Sequence, residues 1–264
     1  MAMINDGLLT RFPKRDVVFG QHVMVGSAGT VAGSAGPITS AADSLEIRLF
    51  ERGAHGSMPQ ASIDPVVMAA ATVLRLQTMV SREVAATESA VVTVGVLQAG
   101  TKENVIPDEA LINLNVRTFD ADVRRRVLAA IERIVNAEAQ AAGAPRPPEI
   151  TPLDNYPLNV NDKDASDRVA AAFRAHFSAD RVHHTGPAPA SEDFGCFGTA
   201  WDAPSVFWFV GGTDPALYAK AKAEGRVNDL PVNHSPHFAP VLHPTLETGV
   251  EAMAAAVMAW NAVG

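Results

Sequence analysis

The stretch Leu45-Glu46-Ile47-Arg48-Leu49-Phe50 decides the fold, because its apolar and polar residues alternate as in a half-buried strand. Asp64-Pro65 then predicts the start of a helix, since Asp caps a helix well and Pro suits its first turn. The apolar residues that follow recur at helical spacing; they are Val66, Val67, Ala70, Val73, Leu74 and Leu76. The unit therefore opens with a strand followed by a helix.

The same unit continues with two more predicted strands, over 90–97 and 110–117, which are rich in β-branched residues. A second helix is predicted from about Ala121 to Ala142, before Gly143-Ala144-Pro145, and residues 149–151 supply a fourth strand. The order strand, helix, strand, strand, helix, strand is that of a ferredoxin-like sandwich, with four antiparallel strands backed by two helices. Such a sheet leaves an edge available for a partner.

The flanking segments predict a second, α/β domain that the ferredoxin-like unit interrupts. A short β-branched run, Val17 to His22, reads as a strand, and residues 26–36 read as a loop or a thin strand pair. Beyond the unit we expect a helix near 164–177, a strand at 205–210 and a C-terminal helix at about 245–260. The expected domains are thus residues 1–43 with 155–264, and residues 44–154 inserted between them.

Composition narrows the class of partner. The chain has 264 residues, of which 47% are hydrophobic and 19% charged, as is usual for a globular protein. Its net charge of −8 provides no basic surface for nucleic acid or anionic lipid, so small molecules or other proteins are the expected partners. The single cysteine, Cys196, and the absence of a long apolar run predict a cytoplasmic protein that does not enter the membrane.

Four histidines are candidates for a metal-binding or catalytic site. His234 and His237 lie three residues apart in a loop before the C-terminal helix, while His22 and His55 stand near glycines far away in sequence. Imidazoles that folding brings together from such positions are typical of a metal or catalytic site. A flexible surface loop with no bound ion would also explain the pair at 234 and 237.

Taken together, the motifs resemble the dinuclear metal-dependent amidohydrolases of the aminoacylase and carboxypeptidase group, most closely the hippurate hydrolase and indole-acetyl-amino-acid hydrolase branch. The resemblance extends along the chain and implies an α/β catalytic domain of the zinc-exopeptidase type carrying an inserted ferredoxin-like dimerisation domain. The matching segments are Met3–Leu8, Phe19–His22, Gly53–Pro59, Asp64–Val66, Gly100–Pro107, Asn115–Thr118, Ser191–Phe194 and His234–Pro236.

The resemblance implies a role for each of five residues. His22 and His234 correspond to ligands of different ions in a pair of divalent metals, which could be Zn, Mn, Co or Ni. His55 corresponds to a histidine that reaches across a homodimer and donates to the developing oxyanion, and Asn104 and Arg117 to residues that contact the substrate carboxylate. Alternatively, His55 and Asn104 serve only their turns, and Arg117 pairs on the sheet surface.

The resemblance also implies that part of the family's machinery is absent, so that the α/β domain is incomplete. Full-length relatives carry a His-x-Cys-Gly-His-Asp stretch and a Glu-Glu pair upstream, and neither occurs in this sequence. Two imidazoles on separate ions cannot hold a dinuclear cluster. We therefore expect an N-acyl amino acid amidohydrolase by lineage that is inactive as this chain alone, or else a noncatalytic dimerisation module. We also expect exposed apolar residues at Phe207, Phe209, Met253 and Val257.

Overall fold

The structure is a computed structural model that describes residues 1–261. The strands of the described chain are β1 (Val18–Ser27), β2 (Val31–Gly33), β3 (Gly36–Thr39), β4 (Ala41–Phe50), β5 (Ala54–His55), β6 (Ala90–Ala99), β7 (Val105–Ile106), β8 (Glu109–Thr118), β9 (Glu149–Tyr156), β10 (Asn159–Asn161), β11 (Val182–His184) and β12 (Ser205–Thr213). The α-helices are α1 (Ala2–Asn5), α2 (Leu8–Arg11), α3 (Pro65–Glu83), α4 (Ala121–Ala142), α5 (Lys163–His176), α6 (Gly195–Trp201), α7 (Pro215–Ala223) and α8 (Leu242–Asn261).

The chain divides into two compact units. Unit 1 comprises residues 1–39, 159–188 and 193–264, and unit 2 comprises residues 40–158 together with the short segment 189–192. Unit 2 is a few residues longer at each end than the domain expected at residues 44–154, because β4 begins at Ala41 and β9 runs to Tyr156. The inclusion of residues 189–192 was not anticipated.

Unit 2 is the ferredoxin-like sandwich that the sequence predicts. Its four-stranded sheet has the order β6-β8-β4-β9, with every neighbouring pair antiparallel. Helix α4 has the predicted bounds because both ends are specified locally: the Asp120 carboxylate accepts from the backbone N–H groups of Asp122 and Val123, and Gly143 ends the helix at φ 74°. Helix α3 begins in the same way, with the Asp64 carboxylate accepting from Val66 N–H.

The core of unit 2 lies between its sheet and its two helices. The inward residues of β4 are Leu45, Ile47 and Leu49, and they pack with buried residues of the neighbouring strand β8 and of both helices. On the same face of β4, nearer the start of the strand, Arg124 makes a two-pronged ion pair with the buried carboxylate of Asp43, Nε to Oδ2 at 2.8 Å and Nη2 to Oδ1 at 2.6 Å. This pair ties the first turn of α4 to the sheet.

Unit 1 is an α/β unit built on a mixed sheet of order β1-β12-β2-β11. Strands β1 and β12 are parallel, β12 and β2 antiparallel, and β2 and β11 parallel. Helices α5 and α8 pack against this sheet around Trp208, which is 1% exposed. A second, two-stranded sheet pairs β3 with β10, so that Thr39 lies opposite Asn159.

The expectation of exposed apolar residues in unit 1 is wrong for Phe207 and Phe209. Phe207 and Phe209 are buried, at 4% and 8% exposure, because they lie on the inner strand β12 and pack with Ile38 and Phe194. Met253 is half-buried against the other face of the sheet, whereas Val257 is 42% exposed as expected. Within residues 1–261, none of the helices is long and apolar enough to cross a membrane.

Candidate functional site

His22 lies in the middle of β1 and not at the end of a strand as the sequence predicts, because the strand continues to Ser27. There it is half-buried and paired in register with Phe209 of β12. Its Nδ1 is 2.8 Å from the backbone carbonyl oxygen of Val23. A carbonyl oxygen can only accept, so Nδ1 donates and the neutral ring carries its lone pair on Nε2. Metal-binding histidines are commonly held in this way by a backbone carbonyl.

The loop that carries His234 is fastened to the same strand. The side-chain amide of Asn233, the residue before His234, donates to the Val23 carbonyl at 2.8 Å. His234 itself is exposed and adopts the left-handed region at φ 69°, in a turn closed by Ser235 N–H donating to Val232 O. The segments of the two predicted ligands therefore meet at the carbonyl of Val23.

Gly212 permits this approach of loop to strand. A Cβ on Gly212 would lie 2.6 Å from Val23 Cγ1, which is too short unless Val23 shifts, and 3.1 Å from Pro240 Cβ, which is a tight contact. The carbonyl of Gly212 also accepts from Val241 N–H at 2.9 Å, which fixes the far end of the loop. Gly212 thus allows close packing of β12 against β1 and against Pro240 of the loop.

The residues described do not fit a dinuclear metal centre by themselves. Across residues 1–261, no three side chains of the His, Cys, Asp or Glu type converge on a point where an ion could bind. A catalytic zinc needs about three protein ligands besides its open position. His237 adds nothing in this respect: it is exposed, and its backbone N–H donates to Ser235 Oγ.

His55 lies in unit 2, at the end of the short strand β5, where it pairs with Val105 of β7. The ring is exposed. Its Nδ1 is 2.8 Å from the Ser57 hydroxyl and also accepts from the Ser57 backbone N–H at 3.2 Å. This ring is therefore anchored within its own turn and directs its other edge outward.

Asn104 is held next to that turn by the backbone. The Asn104 carbonyl accepts from Gly56 N–H at 2.8 Å, and a Cβ on Gly56 would lie 3.1 Å from the same oxygen. A cleft of about 530 Å³ opens here, with Gly56, Lys102 and Val105 among its lining residues. The structure thus brings the segments of His55 and Asn104 together within unit 2.

Arg117 is hydrogen-bonded to a short segment of unit 2. Its Nη1 donates to the carbonyl of Pro189 at 2.7 Å and to the hydroxyl of Ser191 at 2.8 Å. The Ser40 hydroxyl adds a bond to the Ala190 carbonyl at 2.9 Å. Arg117 therefore holds residues 189–191 against the sheet of unit 2. Its contact with a substrate carboxylate stays a prediction.

Glu51 is a buried titratable residue that the sequence did not single out. It is 8% exposed, and both carboxylate oxygens lack a hydrogen-bond partner. Burial raises the pKa of this carboxyl above its ordinary value, and the nearby charge of Asp64 raises the pKa further. Because the pKa of Glu51 differs between the folded and unfolded chain, this carboxyl makes stability depend on pH.

Comparisons with known proteins add the identity of unit 2. Residues 40–142 match the family model described as a peptidase dimerisation domain. The hippurate hydrolase of Campylobacter jejuni is 36% identical over 200 residues, which make up 74% of this chain and 51% of that protein. The chain belongs to the amidohydrolase and peptidase family of these relatives. The predicted family, and the fold it implied, are confirmed.

Other members of this amidohydrolase family extend the comparison. The N-acetyl-L-cysteine deacetylase of Bacillus subtilis is 34% identical over 214 residues, covering 79% of this chain and 48% of that protein. A solved dinuclear metal-binding peptidase of the M20 family from Bacillus subtilis shares the fold, with a TM-score of 0.68 and 24% identity over 97% of this chain and 59% of that one. The chain spans about half the length of the curated relatives it matches.

Proposed function

We propose that the chain acts in the hydrolysis of the amide bond of N-acyl amino acids, with hippurate-like compounds as the substrate class. The observation that carries this proposal is the similarity to a hippurate hydrolase and to N-acetyl-L-cysteine deacetylase over three quarters of the chain. The hydrogen bond from Gly56 N–H to the Asn104 carbonyl, which holds the His55 turn beside Asn104, supports it. A cytoplasmic location stays a prediction.

The proposed roles of this chain's residues concern binding and charge stabilisation. His55 donates to the oxyanion that develops on the scissile carbonyl, and donors of this kind contribute roughly 10²- to 10³-fold in rate. Asn104 and Arg117 contact the substrate carboxylate, Arg117 through guanidinium nitrogens other than the Nη1 that binds residues 189 and 191.

His22 and His234 are proposed to contribute to the binding of divalent metal, Zn, Mn, Co or Ni. Because the described residues provide no three-ligand group, we expect little hydrolysis by this chain alone.

A chimera tests the proposed function. The chain replaces the corresponding half of the Campylobacter jejuni hippurate hydrolase, and release of glycine from hippurate is measured with added Mn or Zn. Turnover by the chimera, absent from the isolated chain, is the expected result. A folded chimera that binds metal yet hydrolyses no N-acyl amino acid would contradict the proposal.

The edge strand β6 favours a second function, self-association. The sequence of β6 contains neither a charged residue nor proline, and Val91, Val96 and Leu97 are 45%, 39% and 52% exposed. The opposite edge, β9, carries Glu149, Pro152 and Asp154, residues that protect an edge from pairing.

We infer that unit 2 forms a homodimer through β6. This association does not require metal. Sedimentation velocity of the chain in the presence of a chelator should therefore show a dimer; a monomer at micromolar concentration would exclude it.

A further inference from the structure

The turn that carries His55 is fixed on both sides of the ring. Met58 N–H donates to the His55 carbonyl at 2.8 Å and closes the turn. Gly56 N–H donates to the Asn104 carbonyl, also at 2.8 Å, and joins the turn to the strand β7 region. The backbone under the imidazole is thus held by hydrogen bonds although the ring is exposed.

The contacts of Nδ1 decide where the proton of the ring resides. The Ser57 backbone N–H points at Nδ1 at 3.2 Å, and an N–H group can only donate. A nitrogen that accepts this bond carries no proton of its own, so the Ser57 hydroxyl at 2.8 Å must donate to Nδ1 as well. The neutral ring is left with its proton on Nε2, the edge directed away from the turn.

This tautomer is the one that the proposed reaction requires. We propose that Ser57 is a positioning residue, which holds His55 in the Nε2–H tautomer by donating both its backbone N–H and its hydroxyl to Nδ1. The part of this inference that concerns catalysis rests on the proposed function. With the proton on Nδ1, Nε2 would present a lone pair to the developing negative charge and would repel it.

Nitrogen NMR of the histidine ring tests the inference without any turnover. The full chain is labelled with ¹⁵N-histidine, and the His55 signals are assigned by their loss in His55→Gln. We expect a pyridine-like Nδ1 and a pyrrole-like Nε2 in the unsubstituted chain. Ser57→Ala, which removes one of the two donors, should increase the Nδ1–H population, and Ser57→Thr should restore the original pattern.

The matched control is Ser62→Ala. Ser62 lies a few residues further along the same segment and donates to the Pro59 carbonyl at 3.0 Å, so its loss should leave the His55 signals unchanged. A pyrrole-like Nδ1 in the unsubstituted chain would overturn the inference. Identical tautomer populations in the unsubstituted chain and in Ser57→Ala would overturn it as well.

Kinetics in the hippurate hydrolase chimera separate this inference from the proposed function. Ser57→Ala should lower kcat about tenfold with KM unchanged, a loss typical of removing a partner that orients a functional histidine. Ser57→Thr should recover most of that loss. A chimera without turnover contradicts the proposed function, whereas the NMR result still decides the role of Ser57.

Discussion

The side-chain amide of Asn233 donates a hydrogen bond to the backbone carbonyl of Val23 across 2.8 Å. The same oxygen lies 2.8 Å from Nδ1 of His22. A single carbonyl therefore orients one predicted metal ligand and anchors the loop of the other, His234, although some two hundred residues separate them in sequence. The two histidines are held in a common region by a residue that is not itself a ligand.

Asn233→Ala should loosen the loop at 232–238. A hydrogen bond of this kind contributes about 1 kcal/mol, which is enough to raise the open population of a short loop severalfold. Hydrogen exchange followed by mass spectrometry should show faster exchange in that segment, with β1 unaffected. His237→Ala is the control, because that side chain is exposed in the same loop. Unaltered exchange in Asn233→Ala would show that other contacts hold the loop.

Arg124→Met should destabilise the chain. It leaves the Asp43 carboxylate, 7% exposed, without its partner, and we expect a loss of about 2 kcal/mol because Arg124 is itself partly exposed. Urea denaturation measures the loss. Arg125→Met is the matched control, since the Arg125–Asp122 pair is exposed on the same helix. The double variant Asp43→Asn/Arg124→Met should recover part of the stability, and equal losses in Arg124→Met and Arg125→Met would argue against the pair.

Glu51→Gln should make the unfolding free energy less dependent on pH, at pH values above the ordinary pKa of a glutamate carboxyl. The pKa of Glu51 is raised in the folded chain by burial and by Asp64, so the protonated form favours folding. This contribution is present below the unfolded pKa of about 4.3 and is lost as the pH rises through the folded pKa. The difference in unfolding free energy between Glu51→Gln and the original chain should therefore grow with pH across this window. An exposed residue, Glu132→Gln, serves as control.

Val96→Lys should weaken self-association. A lysine on the outer strand β6 places charge on the only uncharged edge of the unit 2 sheet, where a second copy would pair. Analytical ultracentrifugation should show a shift from dimer towards monomer. Thr151→Lys on β9 introduces the same charge at the opposite edge. If Thr151→Lys disrupts the dimer and Val96→Lys does not, the interface lies at β9.

His55→Ala should lower kcat for hippurate in the chimera by roughly 10²- to 10³-fold, with a smaller effect on KM, because the lost donor acts in the transition state. His243→Ala is the matched control: His243 is an exposed histidine whose Nδ1 lies 2.9 Å from Glu247. Equal rates for His55→Ala and the unsubstituted chimera would remove His55 from the reaction.

Local signals explain which elements could be predicted from sequence. Helix α4 has an Asp cap, a sustained apolar face and a terminal glycine, and its bounds follow from these alone. Helix α7 carries the same Asp-Pro start at Asp214-Pro215 as α3 and could have been found, whereas α6 has no polar cap. Strand β11 was missed because its His183-His184 ending has no apolar alternation and its partner β2 is distant in sequence.

The candidate site was only partly predictable, because its supporting residues make contacts that no motif encodes. Ser57 lies two residues after His55, and Gly56-Ser57 is a typical turn sequence, so a contact between Ser57 and His55 is predictable from the sequence. The hydrogen-bonded residues Asn233 and Val23 are 210 positions apart in sequence, and Arg117 and Ser191 are 74 positions apart. Such partners become visible only once the sheets are assembled. The roles of His22, His234, His55, Asn104 and Arg117 stay predictions.

The pairing of Thr39 with Asn159 bears on the order in which the chain folds. The Asn159 amide donates to the Thr39 hydroxyl at 2.7 Å, and the two residues are the last of unit 1 before unit 2 and the first after it. Joining them in an unfolded chain closes a loop over residues 40–158, and the entropic cost of closure rises with loop length. If unit 2 folds first, its structure already brings the two ends close. The β3–β10 pair should then form late, after unit 2 has folded. Variants that slow the folding of unit 2 should therefore delay the folding of unit 1 as well.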